Sequence, residues 1–285
     1  MTTSTEKPQT ILVTGASTGM GAATARALAH RGFHVLAGVR REGDAPRAPG
    51  IEPVLLDITR PAQIEAVAAR VTTLHALVNN AGIAVNAPVE TLPMDEWRWQ
   101  FEVNLFGHIA VTQALLPALR RGSGRVVNIS SVGGRVALPA YGAYAGTKFA
   151  LEAVSDALRR ELAPQGVQVV VVEPGGVRTA MADRGTATAT RLAEGLSPEQ
   201  TDRYGPLLQA VMAHAAAFTR NGQSAEDAAE VIVKAVTARR PRTRYTIGRD
   251  AALMTRVSRI VPDRLLDRIL AADLRPHFPP VPQTH

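Results

Sequence analysis

The pentapeptide Tyr144-Ala145-Gly146-Thr147-Lys148 opens an apolar run with helical spacing, FALEAVSDALRREL. A helix turns once in about 3.6 residues, so the phenol and the ammonium share a face and their polar ends can meet. The same spacing suits a half-buried tyrosine beside a lysine that snorkels to water, so the pair alone decides nothing. A second stretch points to chemistry by its position. Thr14-Gly15-Ala16-Ser17-Thr18-Gly19-Met20-Gly21 follows a strand-like run and leads into a helix-like one. Glycines there let the backbone approach a pyrophosphate, and the helix start offers free N–H groups at a positive dipole end. The spacing, G-x-x-x-G-x-G, departs from the commoner G-x-G-x-x-G dinucleotide turn.

Strands and helices in alternation are needed to position these residues, and the first 175 residues supply them. TILVTG, HVLAGV, EPVLLD, HALVNN, RVVNIS and VQVVVVEP read as short strands, apolar on both faces. GAATARALAHRG, PAQIEAVAARV and the long stretch DEWRWQFEVNLFGHIAVTQALLPALRR read as helices between them. The pattern predicts an α/β fold, a doubly wound parallel sheet of Rossmann type with helices on both faces. Its strand C-termini share one edge, where ligands bind. RREGDAPRAPG is too rich in glycine and proline for a full helix and predicts a loop or a single turn. Residues 180–220 predict a loop and then two short helices, together a small substrate lid, with the Thr-Ala repeat at 186–190 as a mobile spot. SAEDAAEVIVKAVTA predicts a helix capped by Ser224, with Asp227 three residues on, and RYTIG predicts one more strand. A helical extension is expected over 250–275. No linker divides the chain, so residues 1–285 are expected to form one domain.

Bulk composition narrows the function classes. Of 285 residues, 46% are apolar and 20% charged, a soluble globular balance. No apolar run reaches the roughly 18 residues of a membrane span, and MTTSTEKPQT has no signal-peptide core. Without cysteine there is no disulfide framework, thiolate metal site or thiol nucleophile, and a cytoplasmic location is expected. Much of the net charge of +7 gathers near the C-terminus, where arginines alternate with Asp250, Asp263 and Asp267. A solvated helix face accounts for them; nucleic acid is not an expected partner, since no recognition motif accompanies the charge. His30, His34, His75, His108, His214, His277 and His285 show no ligand spacing, so no metal is expected.

Six motifs occur in order: TGxxxGxG at 14–21, NNAG at 79–82, VNLFG around Asn104, NISS ending at Ser131, YxxxK at 144–148 and PGGVRT at 174–179. Together they resemble the short-chain dehydrogenase/reductase family in its compact single-domain branch, over residues 10–250. The resemblance implies that Tyr144 is a general acid that protonates the substrate oxygen as hydride reaches carbon, or the base in reverse. A free phenol titrates near pH ~10; Lys148 would lower that value and would also hold the nicotinamide ribose hydroxyls. Ser131, 13 residues before Tyr144, would bond the carbonyl oxygen, while strand alternation turns Ser130 away. Asn104 would hold a water linking Lys148 to solvent; a polar helix residue bonded to a local carbonyl is the plainer alternative.

The same likeness implies a cofactor wall. Gly15, Ser17, Thr18, Gly19, Met20 and Gly21 would meet the phosphates, and Asp57 and Ile58 the adenine. Asn80, Ala81 and Gly82 would pass beside the adenosine ribose, while Pro174, Gly175, Val177 and Thr179 join Tyr144 and Lys148 at the nicotinamide. An NAD enzyme would end its second strand with a carboxylate for the ribose 2′-hydroxyl, whereas this chain has Val39, Arg40 and Arg41. A guanidinium suits a 2′-phosphate, so NADP(H) is the expected cofactor.

Residues 83–85, 132–141, Gly176 and the 180–220 segment should form the substrate wall. Leu138, Pro139, Tyr141, Met181, Leu207 and Leu208 make it apolar, which suits a lipophilic ketone or alcohol. PRTRYTIGRDA resembles the hydroxysteroid and retinol dehydrogenase-like branch. The expected activity is NADP(H)-dependent interconversion of a ketone or aldehyde and an alcohol. The alternatives are a β-ketoacyl or polyketide ketoreductase and a catalytically silent NADP-binding regulator. AALMTRVSRIVPDRLLDRILAADL could lie on a membrane surface, though a packed or dimer-covering helix explains it more simply. Apolar helix faces at 95–120 and 144–163 suggest a homodimer or homotetramer.

Overall fold

Alternating short strands and helices appear as the sequence pattern requires in the computed structural model, which describes residues 8–280. Residues 1–7, which open the segment read as lacking a signal core, and His285 lie outside it. The chain runs β1 (Thr10–Thr14), α1 (Gly19–His30), β2 (His34–Val39), β3 (Ile51–Leu55), α2 (Pro61–Arg70) and β4 (Ala76–Asn79). It continues through α3 (Met94–Phe101), α4 (Gly107–Arg121), β5 (Arg125–Ile129), α5 (Gly142–Leu162) and β6 (Gln168–Pro174). The last third holds α6 (Ala180–Glu194), α7 (Pro198–Arg220), α8 (Ala225–Thr237), β7 (Arg244–Ile247), α9 (Arg249–Val257) and α10 (Asp263–Leu274).

The strands form one parallel seven-stranded sheet in the order β3-β2-β1-β4-β5-β6-β7. Period-two alternation divides the core between its faces. Ile11 and Val13 pack with Leu28 of α1 and Ile232 of α8, while Leu12 packs with Leu115 and Leu119 of α4. The strand order reverses between β1 and β4, which opens a crevice above their C-terminal ends. Among the described residues no helix is long and apolar enough to cross a membrane.

Several local expectations change. Residues 42–44 make the single turn expected between β2 and β3. The 180–220 segment has no leading loop: α6 starts at Ala180, and the helices are 15 and 23 residues long, not short. Gly185, Ala189 and half-buried Leu192 recur at helical spacing on its inner side. The Thr-Ala repeat is helical, and its Thr186 and Thr190 hydroxyls bond back to carbonyls four residues earlier, both at 3.1 Å, so they do not compete for the backbone N–H groups. The break comes at Ser197, which forms a capping box with Gln200 and restarts the helix. Ser224 does cap α8, but the Asp227 carboxylate takes the Ser224 hydroxyl at 2.6 Å; one methylene shorter than glutamate, it stays on the side chain. Nor is every C-terminal arginine solvated: Arg244 packs against Glu152 and Asp156.

Candidate active site

The first strand delivers the Gly-rich turn to the crevice, and its glycines are sterically required. Gly15 has φ +64°, and a Cβ there would stand 2.7 Å from Ala81 Cα. A Cβ on Gly21 would sit 2.3 Å from the Gly15 carbonyl oxygen and 2.4 Å from Asn80 Nδ2. Thr14 and Asn80 lock this turn to the segment after β4. The Thr14 hydroxyl accepts from the N–H groups of Asn80 (3.0 Å) and Ala81 (3.1 Å), and Asn80 Nδ2 donates to the Thr14 and Gly15 carbonyls. Beneath them Asn79 Nδ2 donates to Asn128 Oδ1 and Thr112 Oγ1, tying β4 to β5 and α4.

Above lies a cavity of about 1280 Å³. Its wall includes every residue expected at the cofactor except Arg41: the Gly-rich turn, Arg40, Asp57, Ile58, residues 80–82, Pro174, Gly175, Val177 and Thr179. Arg41 instead starts the turn at 42–44, its carbonyl accepting from Asp44 N. Asp57 Oδ1 is committed to the N–H and hydroxyl of Thr59, which fixes the side chain in the wall. The narrow glycine cradle, the free start of α1 and the Arg40 guanidinium fit a phosphorylated dinucleotide.

Tyr144, Lys148 and Ser131 line the same cavity. Ser131 lies two residues past β5, at the start of the turn 132–134, and accepts from Gly133 N at 3.0 Å, which holds its hydroxyl near Tyr144. Tyr144 and Lys148 stand one turn apart on α5, both buried. Lys148 Nζ donates to the Ile129 carbonyl at 2.9 Å and lies 5.9 Å from the Tyr144 ring centroid. Burial pulls the lysine down to about 8, against support from Glu152. The expected lowering of Tyr144 by Lys148 does not hold. Burial raises the phenol above its ordinary value, and the group opposing that rise is the Ser131 hydroxyl. Counting charge alone omitted the cost of desolvating a phenolate.

Asn104 stands behind the wall, fully buried in a π-helical turn, Glu102–Phe106, that interrupts the expected continuous helix. Its amide clasps one backbone unit: Oδ1 accepts from Ile83 N and Nδ2 donates to the Ile83 carbonyl, each at 2.9 Å. Nδ2 also reaches Thr147 Oγ1 at 3.3 Å, so the side chain is committed to protein groups, and its carbonyl partner lies 21 residues away rather than locally on the helix. Ser130 also borders the cavity, but its hydroxyl is turned away as expected, toward Gly134 and Glu152. Leu138, Tyr141, Met181 and Leu208 line the outer part, but Pro139 and Leu207 do not; Leu207 packs into a small core beneath α7. Arg191–Glu96 (3.1 Å) and Arg203–Glu90 (2.8 Å) tie α6 and α7 to the segment around α3. The locking role of Thr14 was missed; a hydroxyl at the end of a buried strand, before glycine, was the available signal.

The sequence pattern of the short chain dehydrogenase family matches residues 9–190. Retinol dehydrogenase 5 of Mus musculus is 38% identical over 277 residues, covering 91% of this chain and 87% of its own. The NADPH-dependent 3-dehydrocapnine reductase of Ornithobacterium rhinotracheale is 31% identical over 283 residues, covering 93% and 96%. A short chain dehydrogenase from Burkholderia cenocepacia J2315, solved in complex with NADP, has a TM-score of 0.74 at 27% identity, covering 94% and 97%. Another from Burkholderia phymatum, solved with NAD, shares the fold with a TM-score of 0.75 at 22% identity, covering 98% of each chain. Motif order, sheet topology and these likenesses converge, and the chain belongs to the short-chain dehydrogenase/reductase family of oxidoreductases.

Proposed function

We propose that this protein is an NADP(H)-dependent oxidoreductase that interconverts a ketone or aldehyde and an alcohol on a lipophilic substrate. The observation that carries the reading is the meeting of Tyr144, Ser131 and Lys148 in the cavity that also holds the glycine cradle. Bound NADPH supplies the hydride. Backbone N–H groups at the start of α1 hold its pyrophosphate, and Arg40 its 2′-phosphate. Tyr144, kept protonated at neutral pH by burial, gives its proton to the oxygen that gains charge as the carbonyl is reduced. The Ser131 hydroxyl bonds that same oxygen, and Lys148 places a positive charge behind the phenol. Asn104 fixes the Ile83 backbone at the edge of the cavity.

Substrate class follows from the outer wall. Leu138, Tyr141, Met181, Leu208, Val211 and Met212 present apolar surface there, with α6 and α7 as a lid. The relative named as a retinol dehydrogenase acts, by that name, on a lipophilic alcohol. Purified protein assayed with NADPH against retinoid, steroid and aryl ketones or aldehydes, acyl thioesters, sugars and hydroxy acids tests the reading. Turnover of the lipophilic carbonyls is expected; turnover confined to the sugars and acids would defeat it. Exposed Phe106 and Phe149, on adjoining segments, support self-association through that face.

Arg40 and a relative described as NADPH-dependent support the phosphorylated cofactor. Arg40→Ala is expected to raise the KM for NADPH by about tenfold or more, the worth of one charge-assisted hydrogen bond, and to leave that for NADH nearly unchanged. Paired steady-state titrations with the two cofactors measure it, and equal changes would point to NAD(H).

A further inference from the structure

Behind the Tyr144–Lys148 face lies a buried ion cluster that none of the roles above uses. Glu152 follows Lys148 by one turn of α5 and is 4% exposed; Glu173 on β6 is 2% exposed. Arg135, shortly past Ser131, donates from Nη2 to Glu152 Oε2 and from Nε to Glu173 Oε1, both at 2.8 Å. Arg244 on β7 closes the cluster, with Nε 3.0 Å from Glu152 Oε2 and Nη2 2.9 Å from Asp156 Oδ1, which Arg159 also reaches. Desolvating so many charges seldom stabilises a fold more than apolar packing would. The cluster therefore invites a role beyond stability.

Among the described residues the Lys148 ammonium bonds the Ile129 carbonyl on β5. Tyr144 precedes it and Glu152 follows it by one turn of α5, the Glu152 carboxylate being held by the two arginines rather than in an ion pair with it, and His108 lies on α4. Arg135, Glu173 and Arg244 stand beyond Glu152. His108 carries no charge at neutral pH, because burial and then the charge of Lys148 hold it down at about 3. Burial drives the ammonium toward the amine, and the carboxylate of Glu152 opposes it. Burial and Glu173 push the Glu152 carboxyl up from its ordinary range, while Arg135, the Ser130 hydroxyl and Arg244 pull it down. Two guanidiniums in direct contact favour its carboxylate form against that rise.

We propose that Glu152 is a positioning residue for this reaction: clamped by Arg135 and Arg244 one turn behind Lys148, its buried carboxylate backs the ammonium that stands beside Tyr144. The catalytic meaning rests on the function proposed above, but the charge on Lys148 is readable without turnover. Lys7, Lys148 and Lys234 are the three lysines of the chain. Protein labelled with ¹³C,¹⁵N-lysine thus gives few enough side-chain signals to follow through a pH titration by NMR. Glu152→Gln is expected to lower the Lys148 midpoint by about one pH unit while the exposed Lys234 signal holds its place. In assays, the alkaline limb of kcat/KM moves toward acid by the same amount. Glu152→Asp keeps a carboxylate, shifts the midpoint less, and serves if the glutamine variant fails to fold. An unmoved Lys148 midpoint in the variants that fold overturns the proposal, even where activity falls. A shifted midpoint in a protein that reduces no carbonyl compound upholds the charge coupling and overturns the reaction instead.

Discussion

Tyr144→Phe lowers kcat by about a thousandfold, within the range that a positioned acid contributes, and leaves NADPH affinity close to that of the wild type. The size of the effect follows from what the phenol does and from what the ring does without it. In the proposed reaction the hydroxyl is the proton source, kept protonated by burial beside Ser131. The ring packs edge-on against Tyr141 at 6.3 Å and fills the gap left by Gly133, and phenylalanine retains both contacts. The Ser131 hydroxyl keeps its bond from Gly133 N, so no buried group loses its last partner. The variant should therefore fold within about 1 kcal/mol of the wild type. Fluorescence titration of NADPH and single-turnover reduction separate the two effects. A kcat within tenfold of the wild type would mean that water or another group delivers the proton.

Much of this site is legible in the sequence because its signals are local. The strand-turn-helix at 10–30 declares both the fold and the glycine cradle, since only glycine fits at Gly15 and Gly21. YxxxK places two side chains on one helical face without any knowledge of the sheet. What stayed hidden is what distant segments do to one another. Apolar spacing runs unbroken from α3 into α4, so nothing marks the π turn at Asn104; the pull comes from the Ile83 backbone, 21 residues away. Desolvation of Tyr144 depends on α5, β5 and the following turn closing together, and the sequence reading counted only the nearby lysine. Glu152 carried the same four-residue spacing from Lys148 that drew attention to Tyr144. Its guanidinium partners come from residues 135 and 244, and no spacing rule connects those positions.

Gly21→Ala is expected to abolish dinucleotide binding within any practical concentration range and to cost several degrees of thermal stability. The added methyl would sit 2.3 Å from the Gly15 carbonyl oxygen and 2.4 Å from Asn80 Nδ2, and neither atom can yield. Gly15 is held at φ +64° against Ala81, so its carbonyl cannot swing away without driving backbone into backbone. Asn80 Nδ2 is bonded to the Thr14 and Gly15 carbonyls at 3.0 and 3.2 Å, and those bonds define the mouth of the cradle. The first turn of α1 must instead move outward, taking with it the N–H groups that would hold the pyrophosphate. Overpacking of this kind costs about 1–3 kcal/mol, and breaking either Asn80 bond adds about 1 kcal/mol. Gly32→Ala is the control: it also has a positive φ, +86°, but nothing lies within 4 Å of a Cβ there. That variant should lose only about 1 kcal/mol to backbone strain and keep its response to cofactor. Thermal melts with and without saturating NADPH distinguish the two, because a ligand that binds only the native state raises its stability by about 2.7 kcal/mol at a hundredfold excess over Kd. Wild type and Gly32→Ala should show that rise, and Gly21→Ala should not. If Gly21→Ala melts lower yet still gains the full increment, the dinucleotide does not sit on the start of α1, and the cradle has been misassigned.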